Sequence, residues 1–182
     1  MTTQNARLSL ESCAELIRDV HDFPKKGIVF KDITPLLDSA PHFQAVVNHM
    51  ADLLEKQDVQ IDLLAGPEAR GFIFAAALSF RLGVGFVPIR KPGKLPYDVT
   101  RVEYALEYGT DSVEMHVDAV SPGQNVVLVD DLLATGGTTA ACAKMVTQAG
   151  GNVAACVFLI ELDFLEGRSQ LLDYPVHSLI HY

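Results

Sequence analysis

Residues 126–139 read VVLVDDLLATGGTT. The apolar run at 126–129 has the length and β-branched character of a buried strand. It ends in two adjacent carboxylates, Asp130 and Asp131. A turn then carries Ala134, Thr135, Gly136, Gly137, Thr138 and Thr139 into a helix expected over about 137–149. Consecutive backbone N–H groups at a helix N-terminus form an anion site, and threonine hydroxyls add donors to it. Gly136 and Gly137 let the backbone approach a phosphate closely. No lysine follows the glycines, so this is not a nucleoside-triphosphate loop, and the dinucleotide pattern GxGxxG is absent as well. Two acids directly before a phosphate cradle suit a ligand with hydroxyls beside its phosphate, as in a sugar phosphate.

Outward from this run, short apolar stretches alternate with helical ones. Strands are expected at 61–65, 84–89, 126–129 and 153–160, with a turn over 66–71 and a helix from there to about residue 81. Strands alternating with helices imply parallel crossovers, hence an α/β fold with a doubly wound, mainly parallel sheet flanked by helices. Ligands of such sheets sit beyond the carboxyl ends of the strands, where Asp130 and Asp131 fall. Nearer the N-terminus, residues 8–20 are amphipathic at helical period, with Ser9 as a cap, and a second helix is expected over about 41–56. Between them, residues 23–32 read FPKKGIVFKD, broken by Pro24 and Gly27 and extended at 28–30. Residues 91–118 carry charges, prolines and glycines around two alternating runs, 102–108 and 112–117. They read as a flexible hairpin that serves as a lid.

At 182 residues without repeats or linkers, the expectation is one domain over 1–182, with an N-terminal segment over about 1–35 and the loop at 91–118. The net charge of -9 argues against a nucleic-acid or membrane-surface binder, both of which need basic patches. Cys13, Cys142 and Cys156 form no metal or disulfide spacing and read as reduced core thiols. No signal peptide or membrane span is legible, which points to the cytoplasm. The six histidines lack a ligand spacing and receive no catalytic or metal role.

The run at 126–139 closely resembles the phosphoribosyl pyrophosphate motif of the type I phosphoribosyltransferases. That resemblance implies that Asp130 and Asp131 hold the ribose hydroxyls, and that Ala134, Thr135, Gly136, Gly137 and Thr138 hold the 5-phosphate. Four further segments look like the adenine-specific branch of the family. FPKKGIVFKD resembles its base-binding segment, which would stack Phe30 on the purine and read its edge with the backbone of Val29 and Lys31. GPEARGF at 66–72 resembles its pyrophosphate loop, formed by Glu68, Ala69 and Arg70, with a cis peptide between Glu68 and Ala69. Pro67 is unusual in that loop. IRKPGKLP at 89–96 adds Arg90, Lys91 and Lys94 to the pyrophosphate site. YALEYG at 104–109 looks like the catalytic hood, with Glu107 as the catalytic acid–base group and Tyr108 over the pyrophosphate. Arg101, Val102 and Glu103 depart from the pattern just before it.

The resemblance implies transfer of the 5-phosphoribosyl group from phosphoribosyl pyrophosphate to adenine, giving AMP and pyrophosphate. Mg²⁺ would arrive on the substrate's oxygens, with no ligand directly from the protein, and a homodimer is implied. The alternatives are a 6-oxopurine (xanthine-type) phosphoribosyltransferase and a phosphoribosyl-pyrophosphate-sensing regulator. The acidic balance weighs against the second.

Overall fold

A computed structural model describes residues 8–57, 60–105 and 110–182. Two compact units form, Met1–His49 and Met50–Tyr182, with the boundary inside a helix.

The first unit contains α1 (Leu10–Ala14), β1 (Arg18–His21), β2 (Val29–Asp32), α2 (Thr34–Asp38) and the start of α3 (Ala40–Lys56). Ser9 caps α1 as expected, its hydroxyl accepting from the Ser12 N–H at 3.3 Å. The helix expected through residue 20 stops early, however, because 18–21 pairs antiparallel with 29–32. Ion pairs Arg18–Asp32 (2.5 Å) and Lys31–Asp19 (2.6 Å) reinforce that ladder. Cross-strand pairing supplies more than the helical periodicity of a five-residue remnant can. The turn between the strands holds a cis Phe23–Pro24 bond, and Asp22 Oδ1 accepts from the Gly27 N–H at 2.7 Å. Phe23 meets Phe30 edge-on, with centroids 5.2 Å apart.

The second unit holds a five-stranded parallel sheet built from β3 (Leu63–Pro67), β4 (Gly85–Ile89), β7 (Asn125–Leu133), β8 (Asn152–Glu161) and β9 (Val176–His181). Its spatial order is β4-β3-β7-β8-β9, all neighbours parallel. Helix α4 (Arg70–Leu82) joins β3 to β4, and α5 (Gly137–Gln148) joins β7 to β8. The first crossover runs towards one edge and the second towards the other. The winding therefore reverses between β3 and β7, which is where α/β sheets open a ligand crevice. Strands β7 and β8 are nearly continuous runs of buried Val, Leu, Ala and Ile, as expected of strands covered on both faces. An antiparallel hairpin of β5 (Val99–Ala105) and β6 (Thr110–His116) packs against α5.

Two differences from the sequence expectations bear on the site. Strand β7 does not end at Val129 but continues through both aspartates, with Asp130 paired to Phe158 and Leu132 to Ile160. Strand β9 was not expected at all, because His177, Ser178 and His181 interrupt its apolar residues. At the edge of the sheet, a strand needs only one apolar face.

Pro67 stands where β3 needs no donor towards β7. The Glu68 N–H donates to Ile89 O at 2.8 Å, so Pro67, one residue earlier, addresses β7. Pairing of β3 with β7 stops at Ala65–Leu128, so no ladder donor is required there. The three cysteines are buried and free. Among the described residues, no helix is long and apolar enough to cross a membrane.

Candidate active site

Strand pleating turns adjacent side chains to opposite faces, so Asp130 and Asp131 leave β7 in opposite directions. Asp131 is almost fully buried, and its Oδ2 lies 2.9 Å from Arg70 Nε at the start of α4. Asp130 faces the other way, lining a pocket with Thr139 and Cys142 of α5, and its Oδ1 accepts from the Asp131 N–H at 2.9 Å. Burial pushes the Asp130 carboxyl well above the usual carboxylate range, and the charge of Asp131 pushes it further. Burial also raises Asp131, against the opposing pull of Arg70. Two acids held this way are poised to accept from, or donate to, a pair of ligand hydroxyls.

Beyond the aspartates, Asp130 and residues 132–139 line an open cleft of about 310 Å³. Gly136 is the N-cap of α5, with a φ of 82°, and offers no side-chain cap. Ala69 caps α4 without a side-chain hydrogen bond either. Both helices therefore bring uncapped first-turn N–H groups to the carboxyl end of the sheet, beside the switch point. Uncapped helix N-termini favour anions through their N–H groups and dipoles.

The loop from β3 into α4 carries the expected cis Glu68–Ala69 peptide. Gly71 is required here, since a β-carbon would lie 2.8 Å from Pro67 Cδ and 2.9 Å from Asp130 Oδ1. Arg90 Nε donates to Glu68 Oε2 at 2.9 Å, and its guanidinium stands 5.9 Å from the Phe72 ring centroid. Arg90 also donates from Nη1 to Lys94 O at 3.2 Å, which folds the basic loop back on itself. Lys91 Nζ donates to Tyr104 Oη at 3.0 Å and forms an ion pair with Asp111. Burial disfavours the Lys91 charge, but the hydrogen bonds to Asp111 and Tyr104 outweigh it and hold the ammonium above its ordinary pKa.

Sequence reasoning missed the residues that organise this loop. Buried Glu114 of β6 takes the Gly93 N–H at 2.8 Å and pairs with Arg101 across the hairpin. The Arg101 guanidinium and the Gly93 N–H hold the Glu114 carboxyl below its ordinary range. Arg101, a departure from the expected pattern, thus neutralises a buried acid. The signal was present as period-2 alternation, which sets Arg101 opposite Glu114 and Tyr104 opposite Asp111. Glu107 and Tyr108 lie outside the described residues.

The structure therefore brings Glu68, Ala69, Arg70, Arg90, Lys91, Asp130, Asp131 and the 134–138 cradle to one end of the sheet. Val29, Phe30 and Lys31 form β2 of the first unit. A profile of the phosphoribosyl transferase domain matches residues 34–177. The adenine phosphoribosyltransferase of Thermoanaerobacter sp. is 56% identical over 175 residues, covering 96% of this chain and 100% of the relative. The chain belongs to the adenine phosphoribosyltransferase family. The Nitrosococcus oceani member is 53% identical over 95% of this chain and 100% of its own length. The crystal structure of the Thermoanaerobacter pseudethanolicus member superposes with a TM-score of 0.93, covering 96% of this chain and 100% of that one. The Saccharomyces cerevisiae member, solved with an imino-altritol bisphosphate and adenine, is 40% identical with a TM-score of 0.90, covering 93% of this chain and 97% of that one.

Proposed function

We propose that this chain transfers the 5-phosphoribosyl group of phosphoribosyl pyrophosphate to adenine, giving AMP and pyrophosphate. The observation that carries this reading is the Asp130–Asp131 pair, set directly before the uncapped N-terminus of α5 at the switch point of the sheet. The 5-phosphate takes the N–H groups and hydroxyls of residues 134–138, and the two aspartates take the ribose hydroxyls. Pyrophosphate takes the Glu68–Ala69 amides, Arg70, Arg90, Lys91 and Lys94, with Tyr108 above it.

Phe30 stacks on the base, and the backbone of Val29 and Lys31 reads its edge. The Lys31 side chain is already paired with Asp19, which suits a main-chain role. A 6-oxopurine would present the opposite donor pattern and leave buried groups unpaired.

Adenine N9 attacks the anomeric carbon as the bond to pyrophosphate breaks, with inversion. Arg70, Lys91 and the loop amides stabilise the negative charge that builds on the leaving group. Glu107 exchanges a proton at N7 and so tunes the nucleophile. The donors of the cradle are N–H and hydroxyl groups, which address anions. Among the described residues, the one Glu/Asp/His cluster that closes to ligand distances is Glu161, Asp163 and His181, and Arg168 already occupies its buried carboxylate. Magnesium would be carried by the substrate's own oxygens, where it would supply positive charge against the pyrophosphate.

A homodimer is the assembly we infer. Ile73 and Phe80 of α4, seven residues apart and exposed, form an apolar stripe suited to a second subunit. Three buried, unpaired thiols support a reducing, cytoplasmic setting.

The test is pyrophosphate release with magnesium and phosphoribosyl pyrophosphate, offering adenine, hypoxanthine, guanine and xanthine separately. Release with adenine alone is expected. Release with a 6-oxopurine would overturn the assignment of Phe30 and its neighbours, and Glu107→Gln with near-normal turnover would remove Glu107 from the chemistry.

A further inference from the structure

Four side chains from four segments meet above the phosphate cradle. Lys91 comes from the loop after β4, Tyr104 from β5, Asp111 from β6 and Thr138 from the first turn of α5. Lys91 Nζ donates to Tyr104 Oη at 3.0 Å and pairs with Asp111 Oδ2. Tyr104 Oη donates to the same Asp111 Oδ2 at 3.1 Å and accepts from Thr138 Oγ1 at 3.2 Å. The one phenol hydroxyl thus joins a pyrophosphate-site ammonium to a cradle hydroxyl.

We propose that Asp111 is a positioning residue that competes with pyrophosphate for Lys91 and, through Tyr104, clasps the hairpin to the phosphate cradle until the substrate displaces it. This rests on the assignment of Lys91 to pyrophosphate and Thr138 to the 5-phosphate. Both groups that those phosphates need are satisfied internally, one by a carboxylate and one by a phenol. An incoming pyrophosphate must share the ammonium with a carboxylate of like charge, or expel it. Expulsion does not dismantle the hairpin, because a second clamp lies three residues nearer its base. There Glu114 pairs with Arg101, takes the Gly93 N–H and exchanges backbone hydrogen bonds with Arg90 at 2.7 and 2.8 Å. Asp111 and Tyr104, directly opposite each other, form the outer cross-strand clasp. Releasing it frees Lys91 and Thr138 together.

Titration of the full-length protein with magnesium pyrophosphate by calorimetry tests this on wild type, Asp111→Asn, Lys91→Ala and the double variant. Asp111→Asn keeps the shape and removes the charge. It is expected to bind pyrophosphate about two- to fivefold more tightly, the range that a partly exposed ion pair supports. The KM for phosphoribosyl pyrophosphate falls in step, while that for adenine holds. Simple damage to the hairpin would weaken binding, so a gain of affinity separates competition from a structural role. The gain should vanish in the Lys91→Ala background. Unchanged or weaker binding by Asp111→Asn, with Lys91→Ala impaired, would overturn the competition while leaving the pyrophosphate site intact. Undiminished binding by Lys91→Ala would instead overturn the assignment of Lys91 on which the inference stands.

Discussion

The carbonyl oxygen of Gly167 occupies the space that a β-carbon on Gly136 would need. The contact is reciprocal, because a β-carbon on Gly167 would overlap the carbonyl of Ala134 and come within 3.0 Å of Leu133 Cδ1. The phosphate cradle is therefore seated on the second of two short 3₁₀ turns, Asp163–Leu165 and Gly167–Gln170, backbone against backbone. Gly136 also sits at a φ of 82°.

Gly136→Ala meets both obstacles. The left-handed conformation alone costs an L-residue about 1–2 kcal/mol, and the overlap with Gly167 forces the cradle off its seat. Since the cradle's N–H groups must converge on one phosphate, kcat/KM for phosphoribosyl pyrophosphate is expected to fall at least about tenfold, the equivalent of about 1.4 kcal/mol. Steady-state kinetics beside a thermal melt checks this, and a variant with wild-type kinetics would show that the seat is dispensable.

Asp130 sets function against stability. Its folded pKa is raised by burial and by the charge of Asp131. Between the unfolded value of about 3.9 and that raised value, the folded state binds more protons than the unfolded. Stability therefore falls as pH rises through that window and remains lower above it. Asp130→Asn cannot ionise and keeps an Oδ1 acceptor for the Asp131 N–H. The ligand-free variant should melt higher than wild type at neutral pH and converge with it near pH 4, while binding phosphoribosyl pyrophosphate more weakly. Melting curves across pH decide it, and a wild-type slope in the variant would mean that Asp130 is not a source of the instability.

The thiols give a simpler test. Burial pushes the Cys142 thiol far above its ordinary value, Cys156 up to about 12 and Cys13 upward as well. With thiolate scarce and access closed, none should react with a disulfide reagent at pH 8 in the folded protein, and all three should react after denaturation. A thiol that labels quickly in the native state would contradict the packing around it.

The sequence made the sheet and its ligand end legible because both depend on local signals. Apolar runs bounded by glycine mark β3, β7 and β8, and a carboxylate pair followed by glycines marks the cradle. What could not be read depends on contacts between distant segments. Residues 18–20 have helical periodicity, yet pairing with 30–32 takes them into a strand. Strand β9 alternates too weakly to announce itself, and only the exposed edge of β8 gives it a place. The lysine of the basic loop was visible, but its partner Asp111 lies twenty residues on and meets it only through the hairpin register. Arg101, a departure in sequence, became intelligible only once Glu114 stood opposite.

The same separation hides the pair that holds the seat of the cradle. Glu161, nearly fully buried at the end of β8, receives Arg168 Nε at 2.6 Å, Arg168 Nη2 at 2.7 Å and Ser178 Oγ at 2.5 Å. Arg168 Nη1 also donates to Val176 O at 2.9 Å, so one guanidinium ties the second 3₁₀ turn to β8 and β9. Burial opposes the Glu161 charge, but Arg168 and Ser178 outweigh it and hold the carboxyl below its ordinary range. In wild type this contributes stability above the unfolded value of about 4.3 and loses it as pH falls through the folded value. Arg168→Ala removes the fork and leaves the buried acid with Ser178 and, 3.9 Å away, the half-exposed His181, so its pKa rises and the sign reverses. The destabilisation should therefore grow from pH 4 to pH 7. Loss of a buried pair costs about 3–5 kcal/mol. Arg168 is nearly half exposed, which lowers the expectation to about 2 kcal/mol, or about 4–8 °C in Tm. Because the turn carries Gly167, the KM for phosphoribosyl pyrophosphate should rise as well, more than that for adenine. Melting curves at several pH values, read beside both KM values, test the two halves separately. A pH-independent loss of stability would mean that Glu161 is not the group left exposed to burial, and an unchanged KM would mean that Gly136 holds its place without the turn beneath it.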